Sequence, residues 1–176
     1  DPSVPKEKIV VLGGIRFMYP MGQGICYRFK NGIQGICHLQ HLTLRQAKEF
    51  GVYGSCSFTM EDVLVEQCSY SGVFVARPVD VHLQTGGCIG IGRCTNLEVR
   101  QCGSHGVVAS GGTSITLIGA KTTVHHNCTR ENGWDHGLAV IGSSYSTIQL
   151  VSPLTKEQVS LDNGGGGNWG AYAAGD

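Results

Sequence analysis

The 176-residue sequence predicts an all-β fold, a single-stranded right-handed parallel β-helix in which one chain winds as a solenoid. Three observations carry this expectation. A segment recurs with fixed columns of residue types, apolar residues alternate with other residues inside each copy, and Gly is abundant (27 residues) while charge is sparse (15%). Low charge with many Gly, Thr and Ser suits short strands joined by tight turns.

The repeat comes first, because a fixed period decides an architecture. LTLRQAKEFGVYGS from Leu42, VLVEQCSYSGVFVA from Val63, LEVRQCGSHGVVAS from Leu97 and a looser TVHHNCTRENG from Thr123 line up. Gln46, Gln67, Gln101 and Asn127 then share one column, Ala47, Cys68, Cys102 and Cys128 the next, and Gly51, Gly72 and Gly106 a third. The offsets of 21, 34 and 26 residues suit one coil of a β-helix with insertions at its turns. Leu42 and Leu44, Val63 and Val65, and Leu97 and Val99 follow a period of two, which marks one inward face. Stacked coils lie ~4.8 Å apart, so like residues touch their counterparts. Val then packs on Val and Cys on Cys, while the Gln/Asn column pairs its amides between coils. The Gly column is expected to supply positive φ at a turn.

The fourth segment fits this alignment badly. With Cys128 in the Cys column, His125 falls where Val99 points inward. Either the register slips there or a histidine is partly buried, and a slipped terminal coil is the preferred reading because end repeats are often atypical.

The other elements follow in order. Residues 8–14 read as a first strand and 33–39 as another. Residues 44–50 are the only passable helix, and the repeat overrules it. Residues 89–91, 115–118 and 147–151 are short apolar runs that form the remaining walls. The chain divides into a β-helix domain, 1–160, and a Gly-rich C-terminal segment, 161–176, in which Trp169 is placed to cover the last coil. The chain begins at Asp1 without a methionine, as a processed product or a piece of a longer chain would.

Composition narrows the partners. Net charge is zero and no basic stripe is present, which argues against nucleic acid. No run approaches the ~20 apolar residues of a membrane span. Eight cysteines would allow four disulfides. Their recurrence at one inward position reads better as small buried thiols, and reduced thiols lean toward an intracellular or freshly matured protein.

The columns GVYGS, GVFVA and GVVAS with preceding RQA, EQC and RQC resemble the right-handed β-helix repeat proteins, the pectate-lyase-like superfamily in its broad sense, over about residues 33–151. More narrowly, STIQLVSPLTKEQVS followed by NGGGGNWG looks like a group of uncharacterised β-helix proteins of marine algae, protists and their large viruses. The resemblance implies the fold and no particular activity.

Within it, HGLAVIGSS from His136 resembles the Gly-His-Gly stretch of polygalacturonases, and SHGVVASGG from Ser104 echoes it more weakly. The aspartate cluster that accompanies this stretch is missing. Glycosidic hydrolysis needs two carboxyl groups, whereas the outward strand positions offer Glu66, Glu98 and Arg100, and Glu61 with Asp62 reads as a turn. Lyase or epimerase chemistry asks for less, a base and a cation that stabilises the developing charge. NGWDHG resembles in miniature the Asp/His site of alginate epimerases, so the candidate catalytic set is Asp135 and His136 with Arg100 as the cation, and His105 lies near the same Gly column. The alternative is a turn that simply exposes a polar residue. His125, His126, Cys128 and His136, with Cys88 and Cys94 elsewhere, lack the spacing of structural zinc. On a strand, adjacent His125 and His126 should point to opposite faces, so no metal and no cofactor is expected. Arg45, Glu66 and Arg100 should alternate in sign down one outward column, and Tyr53, Tyr70 and Phe74 should add an aromatic strip suited to sugar rings, a partner protein or the core.

Two functions are consistent with these residues. One is a non-catalytic structural or protein-interaction module, an accessory subunit of a large algal or viral assembly, whose partner is another protein or a large complex. The other is a carbohydrate-active enzyme or binder acting on acidic polysaccharide.

Overall fold

A computed structural model describes residues 10–13, 16–18, 27–29, 37–77, 90–142 and 145–172. They form a parallel β-helix of six coils, each contributing one short strand to each of three walls. The first coil holds β1 (Val10–Gly13), β2 (Arg16–Met18) and β3 (Tyr27–Phe29). The second holds β4 (Cys37–Gln40), β5 (Thr43–Arg45) and β6 (Val52–Gly54). The third holds β7 (Phe58–Glu61), β8 (Leu64–Glu66) and β9 (Val73–Ala76). The fourth holds β10 (Ile91–Thr95), β11 (Glu98–Arg100) and β12 (Val107–Ser110). The fifth holds β13 (Ser114–Ile118), β14 (Thr123–His125) and β15 (Leu138–Ile141). The sixth holds β16 (Thr147–Leu150), a four-residue helix α1 (Lys156–Val159), β17 (Ser160–Leu161) and β18 (Trp169–Tyr172). Every third strand pairs in parallel with its counterpart in the next coil, giving three six-stranded sheets. Parallel crossovers of twisted strands take the right-handed sense in nearly all known cases.

The period of two sets the core. Leu44, Val65, Val99 and Val124 are in register along the second sheet, and all four are fully buried. Leu39, Met60, Cys94 and Leu117 form the matching column of the first sheet. A fully buried aliphatic side chain is worth ~1.5–3 kcal/mol relative to exposure, so a one-residue slip of a strand would forfeit a whole column.

The same register resolves the awkward fourth segment. Val124, not His125, pairs with Val99, and His125 pairs with outward Arg100. The alignment therefore moves by one residue. Asn127 accepts from the Cys102 backbone N–H and so follows Cys102 in its column, while Cys128 lies outside that column. Residues 44–50, weighed as a helix, hold the end of β5 and a turn. The strand expected over 8–14 is seen as β1, and that over 33–39 as β4. Residues 8, 9, 14, 33–36, 88 and 89 lie outside the described residues.

The corners explain the other columns. Gln46, Gln67, Gln101, His126 and Asp162 turn the chain from the second sheet to the third, all with φ between 49° and 58°. His41, Asp62 and Asn96 do the same between the first and second sheets. Positive φ thus belongs to these residues and not to the Gly column. Gly51, Gly72 and Gly106 are required for space. A Cβ on any of them would lie 2.3 Å from a Val Cγ1 of the following coil. The column continues through Gly137 to Asn168, as the ladder bonds Val107 N to Gly137 O and Leu138 N to Asn168 O show.

The Gly-rich segment that begins at residue 161 supplies Leu161 to β17 and all of β18, so the sheets run on through it. Trp169 stands beyond Leu138 in an inward column, yet it is 49% exposed, since no strand among the described residues pairs with the far side of β18.

Candidate functional site

The outward face of the second sheet carries the expected ion-pair ladder. Arg45, Glu66 and Arg100 are in register on β5, β8 and β11. Glu66 Oε1 lies 3.2 Å from Arg45 Nε, and its Oε2 accepts from Arg100 at 2.8 and 3.0 Å. Arg100 also donates to Glu98 at 2.9 Å. Glu66 is buried between the two guanidinium groups, with only 7% of its side chain exposed. The ladder is therefore not a set of solvated surface pairs worth ~0–1 kcal/mol. Removing Glu66 would leave two cations facing one another, the costly way to break such a pair.

Asp135 and His136 lie in the turn from β14 to β15, one coil beyond Arg100. No hydrogen bond or ion pair among the described residues joins Arg100 to either of them. What the turn does bring together is His105, Asp135, His136, Trp134 and Tyr172. The Asp135 carboxylate is buried, accepts from Ser104 Oγ at 2.8 Å and lies 3.3 Å from His105 Nε2. The His136 backbone N–H donates to His105 Nδ1 at 2.9 Å, which puts the His105 proton on Nε2, toward Asp135. Burial pulls the His105 imidazole below its usual range, partly offset by the Asp135 charge, so the ring is neutral. Tyr172 donates its hydroxyl to the Trp134 carbonyl at 2.6 Å, and burial followed by the nearby Asp135 charge pushes its pKa up to about 12.

His136 stacks on His105 with rings 6.5 Å apart and 10° from parallel, and its Nδ1 lies 3.1 Å from the Trp134 carbonyl. Its other edge faces the next coil. A Cβ at Gly166 or Gly170 would come within 2.6 Å of His136 Cε1 and Nε2, so glycine there leaves the seat for the ring. The cluster is a stack of rings with its polar atoms directed at neighbours. A base must reach the proton it removes, and here His136 is half-buried with its Nε2 edge facing Gly166 and Gly170.

The aromatic strip is also turned on itself. Tyr53 and Phe74 stack at 5.7 Å and 9°, Phe50 packs on both, and Tyr70 lies between Phe50 and the Arg130 guanidinium, 4.5 Å from its ring. Sugar stacking needs an open ring face, and these rings spend faces on one another, although Tyr70 stays 45% exposed.

All six described cysteines are buried, and Cys68, Cys94, Cys102 and Cys128 are free thiols. Burial pushes the Cys94 thiol up to about 12, and burial together with the Asp135 charge does the same to Cys128. They are packing groups. No cluster of three or more His, Cys, Asp or Glu side chains suited to a metal lies among the described residues, and no helix is long and apolar enough to cross a membrane.

Two features escaped sequence reasoning. One is an open cavity of about 310 Å³ at the C-terminal end of the stack, lined by Leu138, Val140, Ile148, Leu150, Trp169 and Ala171. The Lys156 ammonium sits 4.4 Å from the Trp169 ring at its edge. Inward residues of the sixth coil look like any other core residues in a sequence, so the cavity is visible only in the structure. The other is a ladder of amides, Asn127 buried and Asn163 and Asn168 half-buried. Asn127 Oδ1 accepts from Cys102 N, Asn163 Oδ1 from Asn127 N, and Asn168 Oδ1 from Asn163 N, at 3.0–3.1 Å. Asn127 Nδ2 donates to Val99 O and Asn163 Nδ2 to Val124 O, each on the preceding coil.

No protein-family profile matches the chain, and neither the curated proteins nor the solved structures contain a significant match to it.

Proposed function

We propose that this chain is a non-catalytic structural or protein-interaction module, a rigid wall serving as an accessory subunit of a large assembly. The marine algal, protist or viral setting is part of the same proposal and rests on the C-terminal sequence resemblance alone. One observation carries the reading. The groups that uronate chemistry would need are engaged within the stack: Arg100 by Glu66 and Glu98, Asp135 by Ser104 and His105, and His136 by Trp134 and the glycine backbone. The large apolar side chains left exposed toward the C-terminal end, Trp134, Tyr145 and Trp169, suit contact with another protein.

A glycan-binding alternative draws support from Trp134, which is 62% exposed beside Tyr172 and His136. One experiment separates the readings. The protein is incubated with pectate, alginate and polygalacturonate, with and without calcium, and unsaturated-sugar absorbance is followed. The expected outcome is no rise. A rise that disappears in His136→Ala would overturn the non-catalytic reading. Saturable binding to an acidic glycan without turnover, lost in Trp134→Ala, would replace it with the binder.

A further inference from the structure

His125 and His126 should diverge on a continuous strand, but the strand ends between them. His126 has φ of 54°, the corner conformation of its column, and this swings its ring beside that of His125. The rings meet edge to face at 81°, and the two Nδ1 atoms lie 2.7 Å apart. Two imidazole nitrogens at that distance share either a proton or a metal ion.

The surroundings prepare His125 as a ligand. Its Nε2 faces Glu98 Oε1 at 3.4 Å, and Glu98 is held in turn by Arg100 at 2.9 Å. A carboxylate on the far nitrogen is the usual companion of a metal-binding histidine. It fixes the proton on Nε2, leaves the Nδ1 lone pair free and raises ligand basicity. The carboxylate also places negative charge beside an incoming cation. His126 is exposed, so its ring can exchange a proton on Nδ1 for one on Nε2 through solvent and present its own Nδ1 lone pair.

The spacing selects the metal. With metal–nitrogen bonds of ~2.05 Å, nitrogens 2.7 Å apart subtend about 80° at the ion. That is close to the right angle between neighbouring ligands of a tetragonal or octahedral ion. A tetrahedral ion would need the nitrogens ~3.3 Å apart. We propose that His125 and His126 form a solvent-facing two-nitrogen chelate for a tetragonal divalent transition-metal ion, with Cu²⁺ preferred over Ni²⁺ and Ni²⁺ over Zn²⁺, its remaining positions filled by water.

The test is a Cu²⁺ titration of the full chain followed by electron paramagnetic resonance, with Ni²⁺ and Zn²⁺ as competitors. One Cu²⁺ should bind per chain with nitrogen couplings from two imidazoles. His125→Gln and His126→Asn should each weaken it by about tenfold or more, and asparagine is chosen because it tolerates the corner conformation. His41→Ala, at a corner between other sheets, should change nothing. Ni²⁺ should displace Cu²⁺ at lower concentration than Zn²⁺ does. Coupling to a single imidazole, or unchanged affinity in both the His125 and His126 variants, would overturn the site. Zn²⁺ competing better than Ni²⁺ would overturn the geometry assigned to it.

Discussion

One inward column of the turn between the second and third sheets carries two chemistries. In its first half stand Ala47, Cys68 and Cys102, and in its second Asn127 and Asn163. The thiols donate within their own coil, Cys68 to the Glu66 carbonyl at 3.6 Å and Cys102 to the Arg100 carbonyl at 3.5 Å. The amides reach across coils, capping a backbone N–H and a backbone carbonyl of the coil before. The thiol half is held by packing and the amide half by directed bonds. A column can therefore keep its geometry while the force that maintains it changes.

The largest effect should erase the difference. Gly51→Ala, facing the Cys68 thiol, and Gly106→Ala, facing the Asn127 amide, both drive a Cβ to 2.3 Å from a Val of the next coil and within 2.8 Å of a backbone carbonyl. Each should cost about 3 kcal/mol or more, read as a lower denaturant midpoint. Gly133→Ala, with nothing within 4 Å of its added Cβ, should change little. Equal stability for all three would mean that the Gly column is not set by space.

The next effect should widen the difference. Asn127→Ala leaves Cys102 N–H and Val99 C=O without their partner in a dry interior, at ~1–3 kcal/mol for each orphaned group, or about 2–6 kcal/mol together. Cys68→Ala removes one buried sulfur and should cost about 1–2 kcal/mol. At this chain length that separates the two variants by several degrees in Tm, since ~1 kcal/mol moves Tm by about 2–4 °C. If Cys68→Ala proves the more damaging, the amide ladder is not what holds the later coils.

A further effect should come from alkali. Cys94 and Cys128 each sit at about 12 in the folded protein, against ~8.5 for an ordinary thiol. Cys68 is also pushed up, by the neighbouring Cys102 thiol first and then by burial. A group whose folded pKa is raised contributes stability that is whole below its unfolded pKa and lost as pH climbs through the folded value. Stability should hold to about pH 8.5 and then decline toward pH 12, and Cys94→Ala should flatten part of the decline. A Tm that stays level across this span in the unmodified protein would remove the thiols from the account.

Much of this was legible in the sequence. Leu44, Val65 and Val99 announce an inward face by period alone, and the ladder of Arg45, Glu66 and Arg100 follows from the same register. The misplacement of Cys128 has a physical cause. Cys and Asn are both small enough for the column, and matching by letter chose the thiol where the chain uses an amide. The opposed faces assumed for His125 and His126 failed because a strand rule was carried one residue past the strand. Arg100 was grouped with Asp135 and His136 because coil order was known and corner geometry was not, and the structure places it on a wall with its own carboxylates.

The unequal coils have a consequence for how the chain finds its shape. Residues one rung apart on the second sheet are separated by 21, 34, 25 and 36 positions, from Arg45 to Glu66 to Arg100 to His125 to Leu161. Closing the longest of these loops costs only about 0.5 kcal/mol more than closing the shortest, because the entropy grows with the logarithm of length. No pairing is then strongly favoured to start the process by loop length alone. Assembly can begin at any well-packed rung and zip outward in both directions, with each finished coil serving as the template for the next.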